Sequence, residues 1–430
     1  MKKFAILALA AVMVIALTVP AAALENEFGG YWRTRMYSSG NFDGEEGNNA
    51  TYRRVDTRTR LYYTAKINDN LKLVNKFEMD ATWGSAAGSR AGGAATNRGY
   101  GQVGADGANI EIKNTYADFN LGPVNFTVGV QPYFLFRAAY IDDDASGVVA
   151  RWKVLDNFVL AGSWLKAFEG GAGTGNNDDA DSYTLSAGFW FSENISIKPS
   201  FSWLHSSEAG PAFGAPGIGI GEADVYTYGF DFDMTYDNFG LFATAYAQSG
   251  EAENAAFGGQ DQDFKGYLAI VGGNVMLGPV DLHGQIIYGS GDDDPLDDEL
   301  EVVFANSAFY YWAEIMGLGT FDDAVPNGVP NGGGNVGGLT AGGIGLTFKP
   351  MDKLSITTDL WYAELTEDNA FGENELGTEL DVKVTYQLVE GLNLDLIGAY
   401  LWAGDAIDGN ADGNNDEDPY EIGARLSLSF

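Results

Sequence analysis

The sequence predicts an all-β protein: an antiparallel β-barrel that crosses a membrane with about 18 strands, short turns at one rim and long loops at the other. Three observations carry that expectation. Segment after segment alternates apolar and polar residues with the period of two that an extended strand imposes. The segments run to ten residues or more, longer than the ~5–6 usual in soluble sheets and close to what a tilted strand needs to cross a bilayer. The apolar faces carry Tyr, Phe and Trp near the strand ends, where membrane interfaces favour them.

The amino-terminus reads as an export signal. Lys2 and Lys3 precede an apolar stretch, and Ala21–Ala23 supplies small residues for cleavage, so we expect a signal peptide over 1–23 and a single barrel domain over 24–430. The chain has 430 residues, no cysteine and a formal net charge of −36. Without cysteine the fold uses no disulfide, and so acidic a chain is a poor partner for nucleic acid. Outside the leader there is no charge-free run of ~20 apolar residues, so the crossing falls to strands rather than to a helix.

In chain order, tight turns fall at Asn68–Asn70, Gly122–Val124, Asp156-Asn157, Glu193-Asn194, Asp237-Asn238, Gly278–Val280, Met351–Lys353 and Glu390-Gly391. Asn, Asp and Gly tolerate positive φ and Pro presets φ, which is what tight hairpins require. Longer connections rich in Gly, Asn and Asp alternate with them, so eight hairpins plus a strand at each end make up the count. The last strand sets Tyr420, Ile422, Leu426, Leu428 and Phe430 toward lipid and Arg425 toward the lumen. It is expected to close the barrel against a first strand over Asn26–Ser38. Closure leaves no unpaired edge, the condition for strands in lipid.

The other face of each strand lines a lumen, and a barrel this wide is expected to hold a water-filled channel. Arg54, Asp56, Arg58, Arg60 and Lys66 share one parity. Arg33 and Arg35 precede them, and Lys72 and Lys76 follow. In a chain with only 24 basic residues this is a concentrated basic wall. It reads either as a selecting surface or as a ladder of cross-strand ion pairs with Asp56, Glu78 and Asp80.

The stretch Tyr116–Gln131, followed by Pro132–Tyr140 and Ile141–Asp144, resembles the segment around the fifth strand of general bacterial outer-membrane porins. It departs from their pattern at Val130, where Arg is common. The resemblance implies passive, weakly selective diffusion of small hydrophilic solutes and ions across the outer membrane, with sixteen strands as the alternative count and a homotrimer as the assembly. It further implies that the loop after the fifth strand folds inward and sets Asp142, Asp143 and Asp144 against Arg33, Arg35, Arg54, Arg58 and Arg60. A carboxy-terminal Phe430 resembles the signal read by the barrel-insertion machinery. A solute-specific channel, and a sleeve around a partner such as an electron-transfer cytochrome, stay open as alternatives.

Within 406–418, Asp408, Asn410, Asp412 and Asp416 alternate around glycines in the manner of a calcium loop, without the terminal Glu of that motif; a solvated acidic loop is the other reading. The apolar segment 302–318 fits helix and strand periods alike, and could cap the pore, meet another subunit or extend two strands. The two histidines, His205 and His283, stand on separate strands with no recognisable nucleophile–base–acid set, so no enzyme is expected.

Overall fold

Alternation becomes ladder in a computed structural model that describes residues 24–44, 51–84, 101, 110–169, 179–206, 220–254, 261–294, 297–305, 307–321, 324–330, 336–407 and 417–430. The strands are β1 (Glu25–Gly40), β2 (Tyr52–Asn68), β3 (Leu71–Thr82), β4 (Glu111–Leu121), β5 (Val124–Leu135), β6 (Ile141–Leu155), β7 (Phe158–Phe168), β8 (Ala180–Ser192), β9 (Ile195–Ser206) and β10 (Ile220–Tyr236). They continue as β11 (Phe239–Asn254), β12 (Gln262–Phe264), β13 (Tyr267–Leu277), β14 (Val280–Gly289), β15 (Glu299–Leu300), β16 (Leu339–Met351), β17 (Leu354–Leu365), β18 (Glu375–Val389), β19 (Leu392–Ala403) and β20 (Tyr420–Ser429). Eighteen of them are the staves of one antiparallel sheet; β12 and β15 are short rim strands that pair in parallel with each other. The sheet closes where β1 meets β20, with Tyr31 opposite Ser429 and Gly40 opposite Tyr420. Phe430 completes the seam by exchanging backbone bonds with Gly30, 2.8 Å and 3.2 Å long. Every tight turn expected from the sequence lies between two paired strands.

The outer face is apolar. Phe28, Phe191, Ile286, Ile344, Ile422 and Phe430 stand largely exposed, a surface that only lipid satisfies at this extent. Toward the loop rim, register builds an aromatic row: Trp164 faces Tyr183, Tyr183 faces Trp203, and Trp203 faces Tyr226. The indoles of Trp164 and Trp203 donate to Asp181 and Asp224 at 2.8 Å and 2.7 Å, as amphipathic rings at a water boundary do.

The inner face departs from the sequence expectation. The lumenal face is not polar all round, and part of it is covered. On β11, β13, β14, β16, β17 and β19 the lumenal face carries Tyr246, Leu268, Ile270, Ile287, Leu339, Ala363, Ala399 and Leu401, all buried. The chain's own inserts cover them. The segment 302–318 enters the lumen and buries Val303, Tyr310, Trp312, Ile315 and Met316 in the same cluster. At ~1.5–3 kcal/mol for each large apolar side chain removed from water, this burial holds the segment inside the barrel. Leu376 joins the cluster although strand parity alone placed it with the outward Leu380 and Val382. A register shift beside Gly377, whose φ is 118°, turns it inward.

The second insert is the tip of the β5–β6 hairpin. Pro132–Leu135 and Ile141–Asp144, read from sequence as loop, are the paired ends of two strands, with Leu135 opposite Ile141. Phe136, Arg137 and Ala138 close the hairpin at φ 52°, 51° and 69°. Left-handed geometry costs L-residues about 1–2 kcal/mol each. Burial of Phe136 and Tyr140 against Tyr246 offsets it, and the Tyr246 hydroxyl donates to the Ala139 carbonyl at 3.1 Å.

Candidate functional site

Between the 311–320 insert and the wall of β1, β2, β17, β18 and β20 remains a cavity of ≈ 980 Å³. Arg33, Arg58, Arg60, Lys383 and Arg425 line it together with Glu314, Asp359 and Asp381, and Tyr31, Tyr62, Tyr311 and Trp312 add aromatic surface. Strand parity delivers the wall residues. Arg33 lies opposite Arg58 across the β1–β2 ladder, and Asp359 lies opposite Asp381 across β17–β18.

The cations are braced by acids standing behind them. Arg58 makes a two-pronged contact to Asp80 at 2.8 Å and 2.7 Å and reaches Glu78 at 3.1 Å. Arg60 also bonds Glu78. Arg54 reaches Asp56 at 3.3 Å and Thr82 at 3.1 Å, and Arg425 bonds Asp395 at 2.8 Å. Lys72 pairs with Asp118 at 3.0 Å, and Lys76 sits over the Tyr62 ring at 5.3 Å. The structure thus brings the basic residues together as an ion-pair ladder that still presents guanidinium surface to the cavity. Arg35 is the exception. It is only 3% exposed, holds Asp56 with both prongs at 3.0 Å and 2.9 Å, and donates to the carbonyls of Thr320 and Phe321.

Asp142, Asp143 and Asp144 are placed elsewhere, and the pairing implied by the porin resemblance is corrected here. They do not line this cavity. Asp144 bonds Lys113 at 2.6 Å and Asn114 at 2.6 Å, Asp143 accepts from the Ser307 hydroxyl at 2.7 Å, and the Asp142 amide donates to the Ser307 carbonyl at 2.9 Å. Asp142 and Asp143 tie the two inserts together, while Asp144 fastens the hairpin to β4. The reason is geometric: the β5–β6 tip leans on β10 and β11, where Arg137 bonds Asp233 at 2.6 Å, and so leaves the arginine wall to the later insert. The acidic members of the cavity are Glu314, Asp359 and Asp381. Parity marks Asp359 and Asp381 as lumenal, but nothing in the sequence marks Glu314.

Of the two histidines, His205 bonds Asp224 at 2.9 Å and His283 bonds Asp359 at 2.7 Å across the bare backbone of Gly345. The calcium-loop residues Asp408, Asn410, Asp412 and Asp416 lie outside the described residues, as does the leader 1–23. Among the described residues no group of three or more His, Cys, Asp or Glu side chains is disposed to hold a metal ion.

Solved structures share this architecture along nearly the whole chain. Pseudomonas aeruginosa OpdK, crystallised with vanillate, superposes with a TM-score of 0.60 at 10% identity, over 94% of this chain and 98% of that one. The chain has the fold of an outer-membrane porin. P. aeruginosa OccK8 (OprE) matches this porin fold at TM-score 0.59 and 9% identity, over 94% and 98% of the two chains. Acinetobacter baumannii OccAB4 matches it at 0.57 and 12%, over 96% and 100%. No protein-family model and no curated protein matches the sequence. What relates these porin barrels is therefore architecture, preserved while almost every side chain differs.

Proposed function

We propose that the protein is an outer-membrane channel for small hydrophilic solutes and ions, exported through its leader and assembled by reading Phe430. The observation that carries this is a charged cavity inside a closed barrel whose outside is apolar all round. A solute at the inserts meets guanidinium and carboxylate groups in place of part of its hydration shell, which favours polar over apolar solutes. Because acids stand directly behind the cations, the net field is small, and selectivity between anions and cations is weak. The chain's own inserts occupy the lumen, which counts against a sleeve around a partner protein.

A second reading, a channel selective for one class of solute, is favoured by the same inserts. They reduce the bore to a cavity in which cations stand beside tyrosine and tryptophan rings. That lining suits an aromatic carboxylate, the chemistry of the vanillate found with OpdK. Single-channel recording of the purified protein in a planar bilayer tests both. Ohmic steps in salt alone support a channel, and their block by millimolar vanillate supports the selective form. A protein that inserts without conducting overturns both.

A further inference from the structure

The inner segment 313–321 does more than narrow the bore, because of where it is fastened. Its first half is held by β18. The amides of Ile315 and Met316 donate to the two oxygens of Glu379 at 2.6 Å and 2.9 Å, and the amide of Glu314 donates to Asp381 at 3.2 Å. Glu379 is fully buried. The second half is held by β1, where buried Arg35 takes the carbonyls of Thr320 and Phe321 while Asp56 on β2 fixes its other prongs. Between these two charges Phe321, 1% exposed, enters a slot made by strands on both sides of the barrel's closing seam. It stacks on Tyr37 of β1, with centroids 4.5 Å apart and planes 12° apart, and packs against Ile397 of β19. On β20 it covers Gly423, where an added Cβ would lie 2.5 Å from the Phe321 ring.

The fastening points thus fall on β18, β19, β20, β1 and β2, consecutive staves centred on the one junction where the two ends of the chain meet. The chemistry suits the geometry. A carboxylate accepts from backbone N–H groups, a guanidinium donates to backbone C=O groups, and neither charge is left buried without hydrogen bonds. An aromatic ring over a glycine closes the gap between them.

We propose that Arg35, Glu379 and Phe321 are positioning residues that clamp the inner segment across the β20–β1 seam, so that the bore of the pore and the closure of the barrel depend on the same contacts. Arg35, read from the sequence as a pore-lining cation, acts through the loop rather than on the solute. The segment is a fixed part of the pore wall and not a lid. The conductance side of this proposal rests on the channel reading; the seam side does not.

The test is Phe321→Ala in the full-length protein, read in two ways: the temperature at which the folded barrel in detergent converts to the unfolded, slower-migrating form on an SDS gel, and conductance with open-channel noise in planar bilayers. Phe321→Ala is expected to lower the conversion temperature by several degrees and to raise both conductance and noise. Phe321→Leu is expected to recover most of both. Glu379→Gln, which keeps the volume and removes the charge, should act in the same direction and serves where Phe321→Ala gives no barrel. A lowered conversion temperature with unchanged conductance and noise overturns the clamp. So does raised noise at an unchanged conversion temperature, or no change in either. A wild-type protein that does not conduct would sink the channel reading, and the conversion temperature alone would then decide the seam.

Discussion

Removing one cavity charge gives the most direct quantitative check on the lumen. Arg58 lines the cavity and is braced by Asp80 and Glu78, so Arg58→Gln leaves the wall's volume nearly unchanged and shifts its net charge by one. A unit charge about 6 Å from a passing ion in water contributes about 0.7 kcal/mol. Screening over a Debye length of ~10 Å at 0.1 M salt reduces this to about 0.4 kcal/mol. Anions and cations shift in opposite directions, so their permeability ratio changes by about 0.8 kcal/mol, roughly fourfold toward cations. Arg58→Glu doubles the charge change, to about 1.6 kcal/mol, and should move the ratio by roughly fifteenfold. The measurement is the reversal potential in a KCl gradient across a planar bilayer. At 1 M salt the Debye length falls to ~3 Å and the shift should nearly vanish. The triple change Asp142→Asn, Asp143→Asn and Asp144→Asn should leave the ratio in place, because these residues lie outside the cavity. A ratio unmoved by Arg58→Glu at 0.1 M, or moved more by the triple change than by Arg58→Gln, would refute the placement of the solute path.

Other perturbations test separate contacts. At Gly343 an added side chain would collide with the Trp361 indole, which packs edge-on to Trp312 at 5.3 Å. Gly343→Leu should therefore cost about 1–3 kcal/mol through overpacking, visible as a lower conversion temperature on gels, and an unchanged temperature would show that this seat does not hold the insert. Deleting Phe430 removes two backbone bonds to Gly30 at the seam; outer-membrane levels should drop while export continues, and normal surface levels would count against the assembly role. Trp203→Phe deletes the indole donor to Asp224 and should cost about 1 kcal/mol in unfolding experiments in lipid, a loss too small to detect arguing that the bond is exposed to exchange with water. If Asp408, Asn410, Asp412 and Asp416 bind calcium, millimolar calcium should raise the conversion temperature and Asp408→Asn with Asp412→Asn should abolish the rise. Identical temperatures with calcium and with chelator would leave the acidic-loop reading.

Much of this barrel was legible in the chain because lipid and water grade each strand residue by residue. Tyr226, Tyr228, Phe230 and Phe232 could face only outward, and Thr227, Asp231 and Asp233 only inward, so the period of two assigned both faces of β10. Asn, Asp, Gly and Pro marked the turns for equally local reasons. The basic wall followed from the same parity. Its role as an ion-pair ladder rather than a bare cationic surface depended on register, which sets Arg58 opposite Asp80 and Arg60 opposite Glu78.

Sequence by itself determined the fold class, the strand count, the turns and the sidedness of the staves, all of them short-range consequences of alternation and solvent. Tertiary structure alone decided what fills the lumen. The segment 302–318 has no period that commits it; Trp361 and Glu379 seat it, and Arg35, from the other end of the chain, holds Thr320 and Phe321 just after it. The same holds for Asp142–Asp144, whose local sequence suited a porin constriction and whose partners are Lys113, Asn114 and Ser307. Which insert meets the arginines is a contest of packing between segments more than a hundred residues apart, and no local pattern records its outcome.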